Sequence, residues 1–305
     1  MIWIPISIIA LLFIIVLVII YFFNMAFVRG KITNILERKP HNSEFEGYYD
    51  EIRKGIAWFD KADKESVYIN SYDGLKLHAY LIRCENADKT IILVHGYRSI
   101  AQNDFSCAMK YYYSLGMNII LIDQRSHGKS EGRLITFGIK ESQDVKAWID
   151  FAKNEFSGTK IFLSGLSMGS TTVLMASSFV DGVSGIIADC GFTSPKEIIA
   201  LVAKNRFKLL RWFCAPVGLF AKIFGGFDYS YSAEQALSKT NIPILFIHGD
   251  EDDFVPCYMT EQNFDACVSK KKKIIVKNAT HGFSFLVEPD TVKGALESFI
   301  LNNGD

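Results

Sequence analysis

Hydrophobic residues are concentrated at the start of the chain, where residues 1–28 carry no charged side chain and residues 2–23 are almost continuously apolar. At about 1.5 Å rise per residue, a helix of this length crosses a hydrocarbon core of roughly 30 Å. A cleaved signal peptide needs a basic amino-terminal region, a shorter apolar run and a small-x-small cleavage site, and this sequence has none of them. We therefore expect residues 1–28 to form an uncleaved transmembrane anchor.

Basic residues follow the apolar stretch closely at Arg29, Lys31, Arg38 and Lys39, whereas only the amino terminus precedes it. Because positively charged flanks stay on the cytoplasmic side, this asymmetry predicts that the rest of the chain is cytoplasmic. The expected location is the cell membrane, through a single amino-terminal span.

A juxtamembrane segment with one helix is expected over residues 29–64. Ser43 and Glu46 have the spacing of a capping box, which marks the start of a helix. Apolar residues then recur at helical intervals, at Phe45, Tyr49, Ile52, Ile56 and Phe59.

Short β-branched runs alternate with helical patterns over residues 65–305, which predicts one α/β domain. Alternating apolar positions from Ser66 onward indicate a hairpin that turns at Asp73 and Gly74. Near-continuous apolar strands separated by helices then indicate a mostly parallel sheet covered on both faces. Strands are predicted at residues 90–94, 118–122, 160–164, 184–188, 242–247 and 273–276. Helices are predicted at residues 104–115, 141–155, 168–179, 258–268 and 290–301.

Residues 192–236 interrupt this alternation, because they are too long for an ordinary loop between a helix and a strand and contain many apolar residues. We expect an inserted helical cap. Two interpretations stay open: a lid that faces anionic lipid and admits acyl chains, or a cover with a solvated basic face. The basic residues are Lys196, Lys204, Arg206, Lys208, Arg211 and Lys222.

The composition excludes several classes of protein. The chain has 305 residues, 49% of them hydrophobic, which is enough for a large core. Its 33 basic and 33 acidic side chains leave no basic surplus, which argues against a nucleic-acid partner. The six cysteines contain no C-x-x-C pair, so the usual zinc pattern is missing and no metal site is expected.

The pentapeptide Gly165-Leu166-Ser167-Met168-Gly169 lies between a predicted strand and a predicted helix. In that context G-x-S-x-G holds a serine in a sharp turn with its hydroxyl exposed above the sheet. A serine hydroxyl becomes a nucleophile only beside a base, which a carboxylate orients. The competing interpretation is a glycine-flanked structural serine.

His281 is the preferred base, because it follows the last predicted strand, where a loop can reach the serine. His127 is the main rival. The carboxylate is expected after a strand between nucleophile and base, where Asp250, Asp252 and Asp253 crowd together and the residues alone do not choose among them. The order Ser, Asp, His is that of α/β-hydrolases.

Five motifs, in this order, resemble the serine hydrolases of the α/β-hydrolase superfamily: L-V-H-G-Y, D-Q-R-S-H-G-K-S, G-L-S-M-G, I-H-G-D-E-D-D-F-V-P and A-T-H-G-F. The resemblance covers about residues 44–303 and is closest to bacterial membrane-anchored esterases and serine aminopeptidase-like proteins. It implies Asp252 as the acid. It also implies that the backbone N–H groups of Tyr97 and Met168 form the oxyanion hole.

The resemblance implies acyl transfer by Ser167, His281 and Asp252 through an acyl-enzyme, with no metal or organic cofactor. The expected substrates are carboxyl esters or thioesters, small or lipid-like, at or near the membrane. A serine peptidase of the same fold is the first alternative, since the same chemistry serves amides. A noncatalytic binding protein of this fold is the second.

Overall fold

An eight-stranded sheet forms the centre of the computed structural model, which describes residues 3–32, 47–208 and 214–303. The strands are β1 (Lys64–Asn70), β2 (Lys76–Ile82), β3 (Lys89–Val94), β4 (Met117–Ile122), β5 (Lys160–Leu166), β6 (Val183–Asp189), β7 (Ile244–Gly249) and β8 (Lys271–Val276). Their order in the sheet is β1-β2-β4-β3-β5-β6-β7-β8. β2 pairs antiparallel with β1 and β4, whereas β3 to β8 form parallel pairs. The predicted opening hairpin and parallel sheet are confirmed.

Helices connect the strands and cover both faces of the sheet. They are α1 (Trp3–Phe27), α2 (Tyr49–Lys61), α3 (Ala101–Asp104), α4 (Ser106–Ser114), α5 (Glu141–Glu155), α6 (Met168–Ala176), α7 (Pro195–Phe207), α8 (Cys214–Phe220), α9 (Ala233–Leu237), α10 (Tyr258–Ala266), α11 (Ser284–Val287) and α12 (Pro289–Asn302). A π-helical turn, Ala221–Gly225, follows α8 directly.

The central strands are apolar at every position because both of their faces are buried. Along β3, alternate side chains point to opposite faces of the sheet. Ile92 and Val94 join the core beneath α5 and α6, which includes Trp148. Ile91 and Leu93 join the core beneath α2, α4 and α12. This two-sided burial explains why the strands lack the polar alternation of a half-exposed sheet.

One predicted helix differs from the structure, and the predicted start of another cannot be compared with it. Residues 104–115 were predicted as one helix, but α3 and α4 are separated at Phe105, whose backbone (φ −103°, ψ 16°) is not helical. The Ser43 and Glu46 capping box lies outside the described residues, and the helix after it starts at Tyr49. Arg38, Lys39 and Arg211 also lie outside the described residues.

The segment 192–236 connects β6 to β7, and its described part is largely helical. It contains α7, α8, the π-helical turn and α9. We call α7, α8 and the turn the cap helices. Ser194 caps α7 by accepting a hydrogen bond from the N–H of Glu197, and Ser232 and Gln235 form a capping box at α9.

Helix α1 contains 25 residues. Within the described residues, Ile6–Phe27 is the one stretch of helix long and apolar enough to cross a membrane. Its side chains from Ile6 to Leu17 are exposed, whereas Phe23 and Phe27 are buried against the rest of the protein. The carboxyl end of the apolar helix is thus part of the folded domain.

The first turn of α6 lies directly against the carboxyl end of β3, and glycine makes this approach possible. A Cβ at Gly169 would lie 1.8 Å from the carbonyl oxygen of Val94. A Cβ at Gly165 would lie 2.3 Å from the carbonyl oxygen of Gly169. Since real Cβ atoms do not approach backbone atoms so closely, both positions exclude every other residue unless the backbone moves.

Replacing Gly169 by alanine is expected to lower the thermal unfolding midpoint by roughly 5–10 °C, because the methyl group overlaps the Val94 carbonyl. The matched control is Gly294→Ala in α12, where an added Cβ meets nothing within 4 Å. Alanine favours the helix there, so the midpoint should stay the same or rise. Thermal denaturation of the full-length protein in detergent measures both. Equal shifts in the two variants would contradict the close packing.

Candidate active site

Ser167 is held in a strained turn between β5 and α6. Its backbone has φ 56° and ψ −116°, outside the regions that residues with a side chain favour. The turn is held by a hydrogen bond of 2.9 Å from the N–H of Ser167 to the carbonyl of Asp189 at the end of β6. Strain maintained by the surrounding backbone is typical of functional positions. Ser167 therefore lies directly after the carboxyl end of β5, at the edge of the sheet.

His281 lies between Ser167 and Asp252. Its Nε2 is 2.9 Å from the Ser167 hydroxyl oxygen, and its Nδ1 is 2.6 Å from Oδ2 of Asp252. A carboxylate only accepts hydrogen bonds, so Nδ1 donates to Asp252 and Nε2 is left to accept from the serine. Ser167, His281 and Asp252 thus form one hydrogen-bonded chain, although Ser167 and His281 are 114 positions apart in the sequence.

Asp252 is buried and fully hydrogen-bonded in the loop after β7. Its Oδ1 accepts from the N–H groups of Phe254 at 3.0 Å and Val255 at 2.8 Å. Burial by itself raises the pKa of Asp252, but its hydrogen bonds with His248 and His281 outweigh burial and hold the pKa well below its usual range. The carboxylate therefore stays ionised at neutral pH.

The two neighbouring aspartates have other positions. Asp250 accepts a hydrogen bond of 2.7 Å from the N–H of Asn278, and Asp253 is exposed. Of the three candidates that the sequence left open, the structure places Asp252 against His281.

His248 supports Asp252 from behind, a role that the sequence analysis missed. The ring is completely buried, with Nε2 at 2.8 Å from the carbonyl oxygen of Val255 and 3.2 Å from Oδ2 of Asp252. Since these oxygens accept, Nε2 carries the proton and Nδ1 accepts from the hydroxyl of Thr260 at 2.6 Å. The sequence offered one sign of this role, the position of His248 directly before Gly249 at the end of β7.

The loop after β3 passes beside Ser167. A Cβ at Gly96 would lie 3.4 Å from the Cβ of Ser167. The N–H of Gly96 donates to Asp104 at 2.7 Å, which fixes the loop. Within the described part of the chain, the hydrogen bonds found do not use the N–H of Tyr97 or that of Met168. Both N–H groups therefore remain available as donors.

His127, the rival base, has a different place. Its Nε2 accepts a hydrogen bond of 3.0 Å from the N–H of Arg98, and its ring lies 4.8 Å from that of His95. Burial, and then His95, hold its pKa well below the usual value. A neutral, buried imidazole that accepts from the backbone holds the loop in place. The structure therefore does not bring His127 to Ser167.

Cys190, Asp252 and His281 form the group that could hold a metal ion among the described residues, with ligand atoms within 4.8 Å of one another. Burial raises the pKa of the Cys190 thiol well above its ordinary value, and the charges of Asp189 and Asp252 add to the effect. A protonated thiol is a weak metal ligand. Burial therefore disfavours the thiolate that a metal ion would bind, and Asp252 and His281 are already hydrogen-bonded to each other.

An apolar cluster lies beside the serine. It includes Met168, Phe137, Phe192 and Val255, together with Phe27 from α1. The ring of Tyr97 stacks on that of Phe137 with centroids 5.0 Å apart. Ser167 is therefore bordered by apolar side chains on this side.

Comparisons with known proteins agree with this architecture. Residues 85–223 match the family model of the serine aminopeptidases, S33. The YqkD protein of Bacillus subtilis is 28% identical over 252 residues, which cover 81% of this chain and 82% of that protein. The membrane protein YNL320W of Saccharomyces cerevisiae is 27% identical over 213 residues, covering 69% and 70% of the two chains.

The structure of the esterase Pf2001 from Pyrococcus furiosus superimposes with a TM-score of 0.68 at 23% identity, covering 90% of this chain and 99% of the esterase. At this level of identity the likeness concerns the fold. The chain therefore has the α/β-hydrolase fold and resembles, over residues 85–223, the serine aminopeptidase S33 family.

Proposed function

We propose that this protein is a serine hydrolase that cleaves carboxyl-ester or thioester substrates through a Ser167-His281-Asp252 triad. The observation that carries the proposal is the position of the His281 ring, 2.9 Å from the serine oxygen and 2.6 Å from the carboxylate. The α/β-hydrolase fold and the esterase of the same fold support a hydrolase in general terms.

The geometry supports a two-step reaction. Ser167 attacks the substrate carbonyl while His281 takes its proton, and His281 then gives this proton to the leaving alcohol or thiol. Water, activated by the same imidazole, attacks the acyl-enzyme, and the carboxylic acid leaves with the serine hydroxyl restored. Asp252 holds the imidazole in the required tautomer and stabilises the imidazolium form.

The N–H groups of Tyr97 and Met168 are proposed to bind the oxyanion. Donors fixed in the backbone stabilise the charge that develops in the transition state without reorganising during the reaction. The hydrogen bonds of Asp104 with Gly96 and of His127 with Arg98 support this role, because they hold the loop that carries Tyr97.

The apolar cluster at Met168 favours an acyl group, small or lipid-like, and thus an esterase. A peptidase is the second candidate function, since the matching family model describes serine aminopeptidases. The proposed location is the membrane, with α1 as a single span and the basic residues Arg29 and Lys31 on the cytoplasmic side.

Replacing Ser167 by alanine should abolish labelling by a fluorophosphonate probe, which loses fluoride as it bonds to an activated serine oxygen. Hydrolysis should fall by roughly 10³-fold or more. Ser170→Ala in the same helix is the matched control, because its buried hydroxyl lacks a hydrogen-bond partner among the described residues. Gel fluorescence of the full-length protein measures labelling. Persistent labelling of Ser167→Ala would show that another residue is the nucleophile.

A substrate panel separates the two candidate functions. We expect p-nitrophenyl esters of medium acyl length to be hydrolysed with kcat/KM at least tenfold above that of aminoacyl p-nitroanilides after each value is divided by the rate of spontaneous hydrolysis of that substrate, because the cluster beside Ser167 is apolar. Release of p-nitrophenol or p-nitroaniline at equal substrate concentration gives the ratio. The opposite ratio would favour the peptidase.

Asp252→Asn is expected to lower kcat by roughly 10²–10⁴-fold with a small change in KM, because an amide does not stabilise the imidazolium. The neighbouring Asp253→Asn is the control and should stay close to wild type, since Asp253 is exposed. Because the pKa of Asp252 lies far below neutral, this loss should persist across the neutral range. Steady-state kinetics from pH 6 to pH 8 measure it. Equal losses in both variants would mean that Asp252 is not the triad acid.

A further inference from the structure

The apolar helix α1 is joined to the domain by hydrogen bonds at its carboxyl end. The last carbonyls of a helix lack partners within the helix, so other groups have to satisfy them. The Tyr97 hydroxyl donates to the carbonyl of Ala26 at 2.9 Å. The Arg98 guanidinium donates to the carbonyls of Met25 at 2.9 Å and Val28 at 3.1 Å. The loop beside Ser167 therefore caps this helix.

Aromatic packing makes the same junction rigid. Phe27 is completely buried, with its ring centroid 5.6 Å from that of Phe137 and 5.3 Å from that of Phe227. Phe23, one turn earlier, lies 5.0 Å from Phe220 of the cap helices. Because the helix is fixed at several points, its depth in a bilayer also sets the depth of the domain.

The domain-facing end of α1 belongs to the candidate span. Side chains are exposed from Ile6 to Leu17, whereas from Val18 onward one side of the helix is partly or fully buried against the domain and Tyr21 stays exposed. The candidate span Ile6–Phe27 has 22 residues and extends roughly 33 Å at 1.5 Å per residue, close to the thickness of a hydrocarbon core of about 30 Å. A span of this length places its domain-facing end at least partly within the hydrocarbon, together with the protein surface beside it.

The surface beside this stretch is apolar. Phe207, Leu219, Ile223 and Phe224, which we call the cap face, are 36%, 60%, 63% and 68% exposed. The Phe207 ring lies 5.6 Å from Phe22 of α1. Exposed apolar residues that cluster beside an established contact mark an interaction surface. The cap face thus continues the apolar surface of the helix.

Basic side chains flank the cap face. Lys204, Arg206 and Lys208 surround Phe207 in the chain and are exposed, and Lys222 precedes Ile223. An amphipathic surface with basic residues around an apolar face is typical of proteins that lie at the headgroup level of anionic membranes. This charge pattern favours phospholipid over a protein partner.

We propose that the cap face inserts into the same bilayer leaflet that α1 enters, with the flanking basic residues at anionic phospholipid headgroups. The protein is then held by two membrane contacts, and Ser167 lies just outside the leaflet, beside the apolar cluster that both contacts share. The inference rests on the membrane anchor proposed above and does not require hydrolytic activity.

The test places a tryptophan in the cap face of the full-length protein. Phe224→Trp is reconstituted in nanodiscs of phosphatidylcholine and phosphatidylglycerol, with either ordinary or brominated acyl chains. Bromine quenches tryptophan on contact, and the wild-type signal is subtracted. Phe179→Trp is the matched control, since Phe179 is 37% exposed and follows α6 at the opposite edge of the sheet. Ile223→Trp provides a second probe if Phe224→Trp unfolds.

Brominated lipid is expected to lower the added fluorescence of Phe224→Trp at least roughly twofold and to leave that of Phe179→Trp unchanged. Equal quenching of both probes, with the protein still bound to the nanodisc, would overturn the proposal. A buried but unquenched Trp at position 224 in a dimeric sample would also overturn it, because a second copy would then cover the cap face. Failure of the protein to co-float with lipid vesicles would instead refute the anchor.

Discussion

The close approach of α6 to the ends of β3 and β5 is the constraint on which the rest of the site depends. Gly165 and Gly169 allow close backbone contact there because they have no Cβ. The turn between them requires an unfavourable backbone conformation at Ser167. The hydrogen bond from Ser167 to the carbonyl of Asp189 holds the turn in place. With the serine fixed above the edge of the sheet, the loops after β3, β7 and β8 can converge on it.

The second requirement is a buried carboxylate that remains charged. Burial disfavours the ionised form of Asp252, and the N–H groups of Phe254 and Val255, His248 and His281 compensate for the loss of water. These partners also fix the direction of the carboxylate, which in turn fixes the imidazole of His281. A geometry determined in advance is what transition-state stabilisation requires, because the groups do not have to reorient during the reaction.

Helix α1, the cap helices and the loop beside the serine meet in one apolar cluster. Tyr97 belongs to this cluster through its ring and binds the end of α1 through its hydroxyl, and its N–H is one of the two donors proposed for the oxyanion. The proposed membrane anchor and the proposed active site therefore share one set of contacts.

Local patterns in the sequence were sufficient for the α/β fold, the opening hairpin, α5 at Glu141–Glu155 and the serine turn, because each depends on neighbouring residues and on burial of both faces of the sheet. Three features depended on contacts between distant segments: the position of Asp252 rather than Asp250 beside His281, the support from His248, and the backbone role of His127. Hydropathy placed residues 1–28 in a single apolar segment and did not show that Phe23 and Phe27 are buried in the protein. Apolar side chains leave water equally well for lipid or for a protein core, and only the tertiary structure determines which of the two surrounds them.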